Sequence, residues 1–337
     1  MSVISCIVVA EPALCDVVII NPVSYLVAPV ATLICNHDSS AMGLPSHTKE
    51  VHRICQKNNS NRWKKMVKTG VIDNQLLQML LADYKHHYDT LVELMLKFDF
   101  LVKLPSSDEN KIEYMVPALL PFDTPSFQPE QELRRTEYST CYIVFASPNL
   151  SWTNLPVTSE YLRSNGFLPP GVFERLIGKA VKWTQVTSPE ESLLCMTRTK
   201  ANLLFKRRKF WLTLRTDLCS IEVNFEGPPL RCVYNWLLDR LESILQEYMM
   251  SLYCFVVLPY TLTGSPGDVE FVRLKVVEKV CSDETTLPTG KGRPVLENWE
   301  VRRMFRAWLP REHLKGQYDV FLSYRWEGDA KLVLEGR

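Results

Sequence analysis

Short runs of glycine, lysine, histidine and cysteine are the parts of this sequence that could bind phosphate, bind metal or act as nucleophiles. The run nearest to a phosphate-binding loop is Thr289-Gly290-Lys291-Gly292. A P-loop needs GxxxxGK[ST] between a strand and a helix, so that backbone N–H groups and the lysine surround the phosphates. Neither that motif nor GxGxxG occurs, and the run lies among Gly, Pro, Ser and Thr. The sequence therefore predicts a flexible loop there and no bound GTP.

Two adjacent histidines and several cysteines are the other candidates for reactive side chains. His86 and His87 precede Asp89 and Glu93. Neighbouring helical residues point in different directions, whereas a helical metal site needs histidines at i and i+4, so we predict a solvated helix start. No GxSxG motif occurs, and Cys254 has the apolar neighbours of a core residue. We therefore predict no catalytic residue, no metal ligand and no cofactor.

Basic residues cluster at two places where they could bind a polyanion. Lys206–Lys209 reads KRRK and falls between two predicted strands, and Arg302, Arg303 and Arg306 lie on a predicted helix. A hairpin tip accounts for KRRK, because charges are solvated there and protect a strand edge. Binding of anionic lipid, RNA or an acidic protein surface is the alternative for both clusters.

The overall composition is that of a globular protein. The chain has 337 residues, enough for two or three domains with their own cores. Its formal net charge is +1, so long-range attraction to nucleic acid or to an anionic membrane is not expected. Ten cysteines are scattered without a CxxC pair, which favours buried, reduced thiols and predicts a cytoplasmic location.

An uncharged stretch at residues 17–36 is long enough to be considered as a membrane span. Asn21 and two prolines interrupt it, and its halves read as a short strand and a core helix over Val23–Ile34. We therefore expect no membrane span.

The elements predicted in the first region follow the order helix, helix, helix, hairpin. The polar segment 38–61 is expected to form a loop. The predicted elements are a strand at Asp16–Ile20, a helical turn at Trp63–Lys68 ended by Gly70, an extended step at Val71-Ile72, helices at Gln75–Tyr84 and His87–Phe98, and strands at Leu101–Leu104 and Glu113–Val116. This is the order of a winged helix.

The region 138–260 reads as an antiparallel sheet with helices beside it. The predicted strands are Cys141–Ala146, Ser192–Arg198, Ala201–Phe205, Phe210–Arg215, Cys219–Phe225 and Leu252–Pro259, and one helix follows Gly171. A second helix, Arg231–Met249, carries a wide apolar stripe. The stripe consists of Trp236, Leu237, Leu238, Leu241, Ile244, Leu245, Met249 and Met250. Packing against its own sheet is the expected role of the stripe, and a partner chain is the alternative.

Residues 261–316 combine linker composition with two predicted elements. Gly, Pro, Ser and Thr are frequent at Thr263–Gly267 and Ser282–Pro294. Between and after these stretches, Val269–Val280 is predicted as a strand and Trp299–Trp308 as a basic helix.

Three parts of the sequence resemble the COR domain (C-terminal of Roc) of the Roco family. They are Asp16–Leu26 (DVVIINPVSYL) followed by 63–71, then Leu91–Pro121 (LVELMLKFDFLVKLP, a gap, EYMVPALLP), and Leu168–Leu176 (LPPGVFERL). In that family the domain has two halves and follows a Ras-like GTPase. The resemblance implies COR halves at 1–130 and 138–260, contacts with a GTPase domain in the same chain or another, and a homodimer.

The segment Tyr318–Trp326 (YDVFLSYRW) resembles the first strand of TIR domains. It implies a linker over 261–316, a truncated TIR start over 317–337, and TIR-domain partners in a full-length protein. A TIR domain needs a parallel sheet with several crossovers, so we expect a fragment. Some TIR domains cleave NAD with a glutamate on a later helix, and neither Glu327 nor Glu335 matches that place. No enzymatic activity is therefore expected from this chain.

The expected fold class is α+β, with a winged-helix-like first half and a sheet-plus-helix second half. The expected function is a non-catalytic regulatory and dimerisation module that couples a GTPase to a TIR domain. A winged-helix nucleic-acid-binding protein, with KRRK as an auxiliary contact, is the alternative. It is disfavoured because the predicted helix His87–Phe98 has Lys97 as its one strong cation, opposed by Asp89, Glu93 and the following Asp99.

Overall fold

The computed structural model divides the chain into two compact units. Unit 1 is Met1–Pro129 with Pro170–Thr213, and unit 2 is Glu130–Pro169 with Leu214–Arg337. The residues that the structure describes are 7–8, 18–19, 21–35, 45–105, 111–122, 138–147, 156–187, 196–248, 251–261, 269–289 and 295–310. Helices and antiparallel strands occur in both units, so the fold is mixed helix and sheet, as expected.

The α-helices in the described residues are numbered in chain order. They are α1 (Ala28–Ile34), α2 (Ser46–Asn58), α3 (Ser60–Thr69), α4 (Asn74–Leu80), α5 (Tyr88–Lys97), α6 (Ser159–Asn165), α7 (Val172–Thr187), α8 (Arg231–Tyr248), α9 (Leu274–Ser282) and α10 (Asn298–Met304). A π-helical turn, Val23–Val27, precedes α1. Short 3-10 helices cover Ala82–His87, Pro117–Leu119, Thr216–Leu218 and Arg306–Trp308.

The strands are numbered in the same way. They are β1 (Ile7–Val8), β2 (Val18–Ile19), β3 (Val71–Asp73), β4 (Val102–Lys103), β5 (Glu113–Met115), β6 (Tyr138–Ala146), β7 (Val157–Thr158), β8 (Lys200–Phe205), β9 (Arg208–Arg215), β10 (Ser220–Glu226), β11 (Tyr253–Thr261) and β12 (Val269–Arg273).

Local sequence explains where several helices begin and end. Gly70 ends α3 in the left-handed region, at φ 68°, which an L side chain rarely adopts. The Asp73 carboxylate accepts a hydrogen bond from the Leu76 N–H at 2.9 Å and so caps α4. Glu297 and Glu300 form a capping box at the start of α10.

Unit 1 is built on a small three-stranded sheet in the order β3-β5-β4. Val71 pairs with Met115, and Met115 pairs with Val102, so β5 lies in the middle. Along the chain the order is α2, α3, β3, α4, α5, β4, β5. Helices and sheet share one apolar core, which includes Trp63, Met66, Ile72, Leu76, Leu77, Met95 and Val116. Burial of these side chains is the main force that holds the helices to the sheet.

Helix α7 and most of the hairpin β8–β9 also belong to unit 1. Trp183 of α7 stacks on Phe205 of β8, with ring centroids 4.7 Å apart, and Phe210 contacts it edge-on. Gly178 of α7 allows close approach to the small sheet, because a Cβ there would lie 3.1 Å from Cγ2 of Val102.

Unit 2 contains β6, β7, β10, β11 and β12, paired antiparallel in the order β7-β12-β11-β6-β10. Helix α8 contributes Val233, Leu237, Leu241, Ile244 and Leu245 to the buried side. Trp308 is buried between Phe225 and Tyr234, at 6.0 and 5.9 Å between ring centroids. The segment 295–310 therefore packs on unit 2, although linker composition surrounds it.

The prediction of a loop over residues 38–61 is wrong for the part that the structure describes. Helix α2 covers Ser46–Asn58 and buries Thr48, His52 and Cys55. Two of these three residues are polar, so the apolar periodicity of a buried helix face is weak in the sequence.

Two further predictions need correction. Val269–Val280 is not one strand: β12 ends at Arg273, and α9 takes over with Leu274, Val277, Val280 and Cys281 buried at helical spacing. The β-branched residues favoured a strand there, but the spacing is that of a helix. Val23–Ile34 is not a core helix throughout, because Val23 and Val27 of the π-helical turn are 67% and 55% exposed.

Candidate functional site

Unit 1 contains a buried carboxylate surrounded by three cations. The side chain of Asp99 is 2% exposed. Arg175, Lys179 and Lys182 lie at i, i+4 and i+7 on α7, so they share one helix face. Arg175 Nη2 lies 3.4 Å and Lys179 Nζ 3.1 Å from Oδ2 of Asp99, and Lys182 Nζ lies 3.0 Å from Oδ1.

The backbone at Asp99 is as unusual as its surroundings. Its φ is 59°, in the left-handed region, directly after the residue that ends α5. Aspartate is among the few non-glycine residues that visit this region readily. The Asp99 N–H and Lys182 Nζ both donate to the carbonyl of Leu96, at 3.4 and 3.2 Å. Lys182 therefore binds the carboxylate and also satisfies a carbonyl at the end of α5.

The cluster ties the end of α5 to α7 through ion pairs and a hydrogen bond. The three cations outnumber the one carboxylate, so Asp99 cannot be lost without leaving positive charges close together. Such an arrangement fixes the position of two elements that are about 80 residues apart in sequence. The cluster offers one carboxylate and no histidine or cysteine, which is not a set of metal ligands, and the role that its contacts support is to position α7 against α5.

Unit 2 contains an open cleft between α8 and α9, with β11 as its floor. The cavity volume is about 450 Å³. The lining residues are Arg231, Tyr234, Asn235, Leu238, Glu242, Tyr253, Cys254, Phe255, Val256, Arg273, Leu274, Lys275 and Glu278. The residues from α8 recur at helical spacing, so one face of that helix forms one wall.

The charged side chains at the cleft differ in whether they have an ion-pair partner. Arg231 and Glu278 form an ion pair of 2.5 Å that joins α8 to α9. The guanidinium carbon of Arg273 lies 4.4 Å from the centroid of the Phe255 ring. In the described part of the chain, Nε of Arg273 is shielded from solvent and has no hydrogen-bond partner. Lys275 is exposed at the start of α9.

The buried thiols are not activated nucleophiles. Cys254 lines the cleft, and burial followed by the charge of Glu242 raises the pKa of its thiol to about 12. Burial raises the pKa of the Cys55 thiol to about 11. A thiol with so high a pKa is protonated at neutral pH and is therefore a poor nucleophile. The cysteines that the structure describes are free thiols, at positions 35, 55, 141, 219, 232, 254 and 281.

The histidine pair lies where the sequence predicted, at an exposed helix start. His86 and His87 end the 3-10 helix before α5, and both side chains are exposed, as are Asp89 and Glu93. Among the described residues, no group of three or more His, Cys, Asp or Glu side chains could hold a metal ion.

The basic run KRRK forms the turn of the hairpin β8–β9, as predicted. Lys206 and Arg207 occupy the turn with φ of 49° and 66°. The residues on either side, Phe205 of β8 and Arg208 of β9, pair with each other. Positive φ at both central residues is the geometry of a tight two-residue hairpin turn. Nζ of Lys206 lies 5.4 Å from the centroid of the Phe205 ring.

The second basic cluster is partly used inside unit 2. Arg302 donates to the carbonyl of Cys281 at 2.8 Å and so joins α10 to α9. Arg303 is exposed, and Arg306 is partly exposed. Arg302 therefore has a structural role, whereas Arg303 faces solvent and Arg306 does so in part.

The apolar stripe of α8 packs within unit 2. Leu237, Leu241, Ile244 and Leu245 are each at most 2% exposed. Trp236 and Leu238 are half-buried, and Met249 and Met250 lie outside the described residues. The four buried leucine and isoleucine side chains are not accessible to a partner chain.

Several predicted features lie outside the part of the chain that the structure describes. They are the glycines and lysine of the run at 290–292, the TIR-like strand Tyr318–Tyr324, and Glu327 and Glu335. Thr289 is the last described residue before that glycine run. In the described residues, no helix is both long and apolar enough to span a bilayer.

The sequence was also compared with known proteins. No protein-family model matches it, and no curated protein matches it. The COR and TIR resemblances therefore stay predictions.

Proposed function

We propose that this chain is a non-catalytic regulatory and assembly module of a Roco-type signalling protein, located in the cytoplasm. In this proposal the chain relays the nucleotide state of an adjacent GTPase to a TIR domain. In the same proposal, residues 1–130 form a winged-helix-like COR half, residues 138–260 form the second COR half, and the proposed assembly is a homodimer.

The order of elements in unit 1 is the observation that carries the proposal. Helix α3, strand β3, helices α4 and α5, and strands β4 and β5 follow one another, with β5 between β3 and β4. A winged helix has this succession of helix, strand, two helices and a hairpin, with the first strand joined to the sheet. The arrangement supports the reading of the COR-like first half.

Two resemblance segments that are remote in sequence meet inside unit 1. Asp99 belongs to Leu91–Pro121, and Arg175 belongs to Leu168–Leu176. Their side chains lie 3.4 Å apart within the buried charge cluster. Lys179 and Lys182 continue that contact along α7. A link of this kind suits a relay. A displacement of α5 would be transmitted to α7 through the ion pairs, without a rearrangement of the apolar core.

The test is direct binding to a GTPase. The chain is titrated with the Ras-like GTPase domain encoded next to it, loaded with GDP or with a non-hydrolysable GTP analogue. We expect saturable binding with at least a fivefold difference in Kd between the two nucleotides, the lower end of usual allosteric coupling. Sedimentation at increasing concentration tests the homodimer. A chain that stays monomeric at tens of micromolar and does not bind the GTPase contradicts the proposal.

A second candidate, nucleic-acid binding, is favoured by the charge of α2 and α3. Residues 46–69 contain seven Lys or Arg and one Glu, whereas the whole chain has a net charge of +1. Lys49, Lys57, Lys64 and Lys68 are exposed. Against this candidate, the exposed face of α5 carries Asp89 and Glu93, which repel phosphates where a winged helix would enter a groove.

Salt dependence separates the two candidates. A nucleic-acid-binding module binds labelled duplex DNA or RNA with a steep loss of affinity as salt rises. Its Lys64→Gln/Lys68→Gln variant would flatten the slope of log K against log salt by about 2. The double variant Lys275→Gln/Lys279→Gln removes the same charge from unit 2 and serves as the control. The regulatory module shows no saturable binding in these titrations.

A further inference from the structure

The cleft in unit 2 has the size of a ligand pocket. Its volume of about 450 Å³ falls within the range of about 300–1,000 Å³ that is usual for small-molecule sites. Helices α8 and α9 and strands β11 and β12 form it, and these elements belong to the packed part of unit 2. Its walls are therefore largely pre-formed, which lowers the entropy that binding must overcome.

Arg273 is the group in the cleft best prepared to bind an anion. Its guanidinium carbon lies 4.4 Å from the centroid of the Phe255 ring, and this cation–π contact restricts the rotamers of a long side chain. Its Nε is shielded from solvent and has no hydrogen-bond partner among the described residues, so this donor is unused. An unsatisfied donor of this kind costs folding stability, and a carboxylate in the cleft removes that cost if the guanidinium turns by a small amount towards it.

The other charges around the cleft define what kind of anion fits. Glu278 is neutralised by its ion pair with Arg231. Among the other residues that line the cleft, Arg273 and Lys275 are cationic and Glu242 is anionic, which leaves an excess of one positive charge. The first turn of α9 has no acidic residue and no side-chain cap, so it adds a favourable end for a negative group. A singly charged ligand therefore matches better than a multiply charged one.

We propose that this cleft binds a monocarboxylate with an apolar body. The planar guanidinium of Arg273 matches the two oxygens of a carboxylate, and Lys275 supplies the second cation. The apolar body lies against Leu238, Tyr253 and Val256, which line the same cavity. This site is independent of the proposed GTPase relay, and its ligand would be an added input to unit 2.

The experiment is an NMR titration of the intact chain with 3-phenylpropionate. The Arg side-chain Nε–H signal of Arg273, assigned by its loss in Arg273→Gln, is followed together with backbone amides. We expect a saturable shift of that signal and of amides in β11 and α9. The neutral 3-phenylpropionamide tests the charge, and acetate tests the apolar body. Each should bind at least about tenfold more weakly, because each loses one part of the contact.

Variants test which residues bind the probe. Arg273→Gln should weaken 3-phenylpropionate at least about tenfold, as expected for loss of a charged hydrogen bond. Lys275→Gln removes an exposed cation, so the fold is not at risk, and it should weaken binding severalfold. Lys279→Gln is the matched control, because Lys279 is exposed one turn further along α9 and does not line the cleft.

The proposal is overturned by any of three results. The first is a wild-type Arg273 signal that does not shift when 3-phenylpropionate is added up to about 10 mM, a concentration on the order of the weakest fragment affinities. The second is equal affinity for the carboxylate and the amide. The third is that Lys275→Gln and a correctly folded Arg273→Gln both bind 3-phenylpropionate with the affinity of the wild type.

Discussion

The carboxylate of Asp99, in the turn after α5, lies 3.0 Å from Nζ of Lys182 on α7, although the two residues are far apart in the sequence. The same lysine donates to the carbonyl of Leu96 at the end of α5. Lys182 thus pairs with the buried carboxylate and also donates to a carbonyl at the end of α5. Two further cations of α7, Arg175 and Lys179, contact the same carboxylate. We regard this cluster as one of the elements that hold α7 to the end of α5 within unit 1.

Replacing Asp99 by Asn should destabilise unit 1 by about 2–4 kcal/mol, because three cations lose their buried counter-charge. Asn keeps the size of the side chain and tolerates the left-handed backbone at φ 59°, so the loss reports on charge. The free energy of unfolding is measured by urea denaturation followed by circular dichroism.

Lys182→Gln is the control for this prediction. Its side chain is 41% exposed, so its pair with Asp99 is partly screened and its loss should cost about 0–1 kcal/mol. If Asp99→Asn were as mild as Lys182→Gln, the cluster would not be a determinant of stability.

Two glycines give a matched test of the contact between α3 and the residues after β5. Gly70 and Gly171 both have positive φ, 68° and 75°. A Cβ on Gly70 would lie 3.0 Å from the backbone nitrogen of Leu120, whereas a Cβ on Gly171 would meet nothing within 4 Å. Gly171→Ala should therefore cost about 1–2 kcal/mol for backbone strain alone.

Gly70→Ala should cost more, about 2–4 kcal/mol, since backbone atoms must also move apart. Thermal unfolding of both variants measures the difference. Equal costs would mean that the close approach at Gly70 is not a constraint.

Two tryptophans test whether the segment 295–310 is part of unit 2. Trp308 is 7% exposed between Phe225 and Tyr234, and Trp299 is 54% exposed on α10. Trp308→Ala should cost about 3–5 kcal/mol because it opens a cavity, whereas Trp299→Ala should change stability by less than about 0.5 kcal/mol. Denaturation of both variants is compared with the wild type. A harmless Trp308→Ala would indicate that this segment is a linker.

His52 should make the stability of unit 1 depend on pH. Burial lowers the pKa of the imidazole, and its hydrogen bond to the Thr32 carbonyl, at 3.0 Å, only partly offsets this. The unfolded chain therefore binds a proton more readily than the folded chain. Its contribution is fully present above the unfolded pKa of about 6.5 and is lost as pH falls towards the lower folded pKa.

The expected loss is at most about 1.4 kcal/mol per pH unit below pH of about 6.5. His52→Gln should be less stable at pH 7, because the ring contact with Trp63 is lost, but should show a flatter pH profile. His86→Gln, at an exposed position, is the control and should keep the wild-type profile. A wild-type slope in His52→Gln would show that another group titrates.

Long periodic elements were predictable from the sequence with small errors at their ends. The predicted helix His87–Phe98 is Tyr88–Lys97 in the structure, and of the predicted helix Arg231–Met249 the described part, Arg231–Tyr248, is helical. Apolar residues at regular spacing determine such elements, and Gly70 marked the end of α3. Helix α2 was missed because its buried face consists of Thr48, His52 and Cys55.

The charge cluster could not be predicted, because pairing across the fold leaves no local pattern around Asp99. In the sequence this residue was only one of several acids opposing Lys97. The available signal was on the other partner: Arg175, Lys179 and Lys182 lie on one face of a helix that also carries many apolar residues. A row of cations beside buried residues is compatible with a buried acid, but sequence spacing does not say whether one is present or which one it is. Arg273 gave no signal, since its role depends on Phe255 in a neighbouring strand.

Sequencing the transcript on both sides of this reading frame tests the central proposal most directly. The regulatory account predicts a P-loop GTPase upstream, in the same frame, and the remaining strands and helices of a TIR domain downstream. A transcript whose frame contains neither would contradict the relay in this chain and would favour a free-standing binding module.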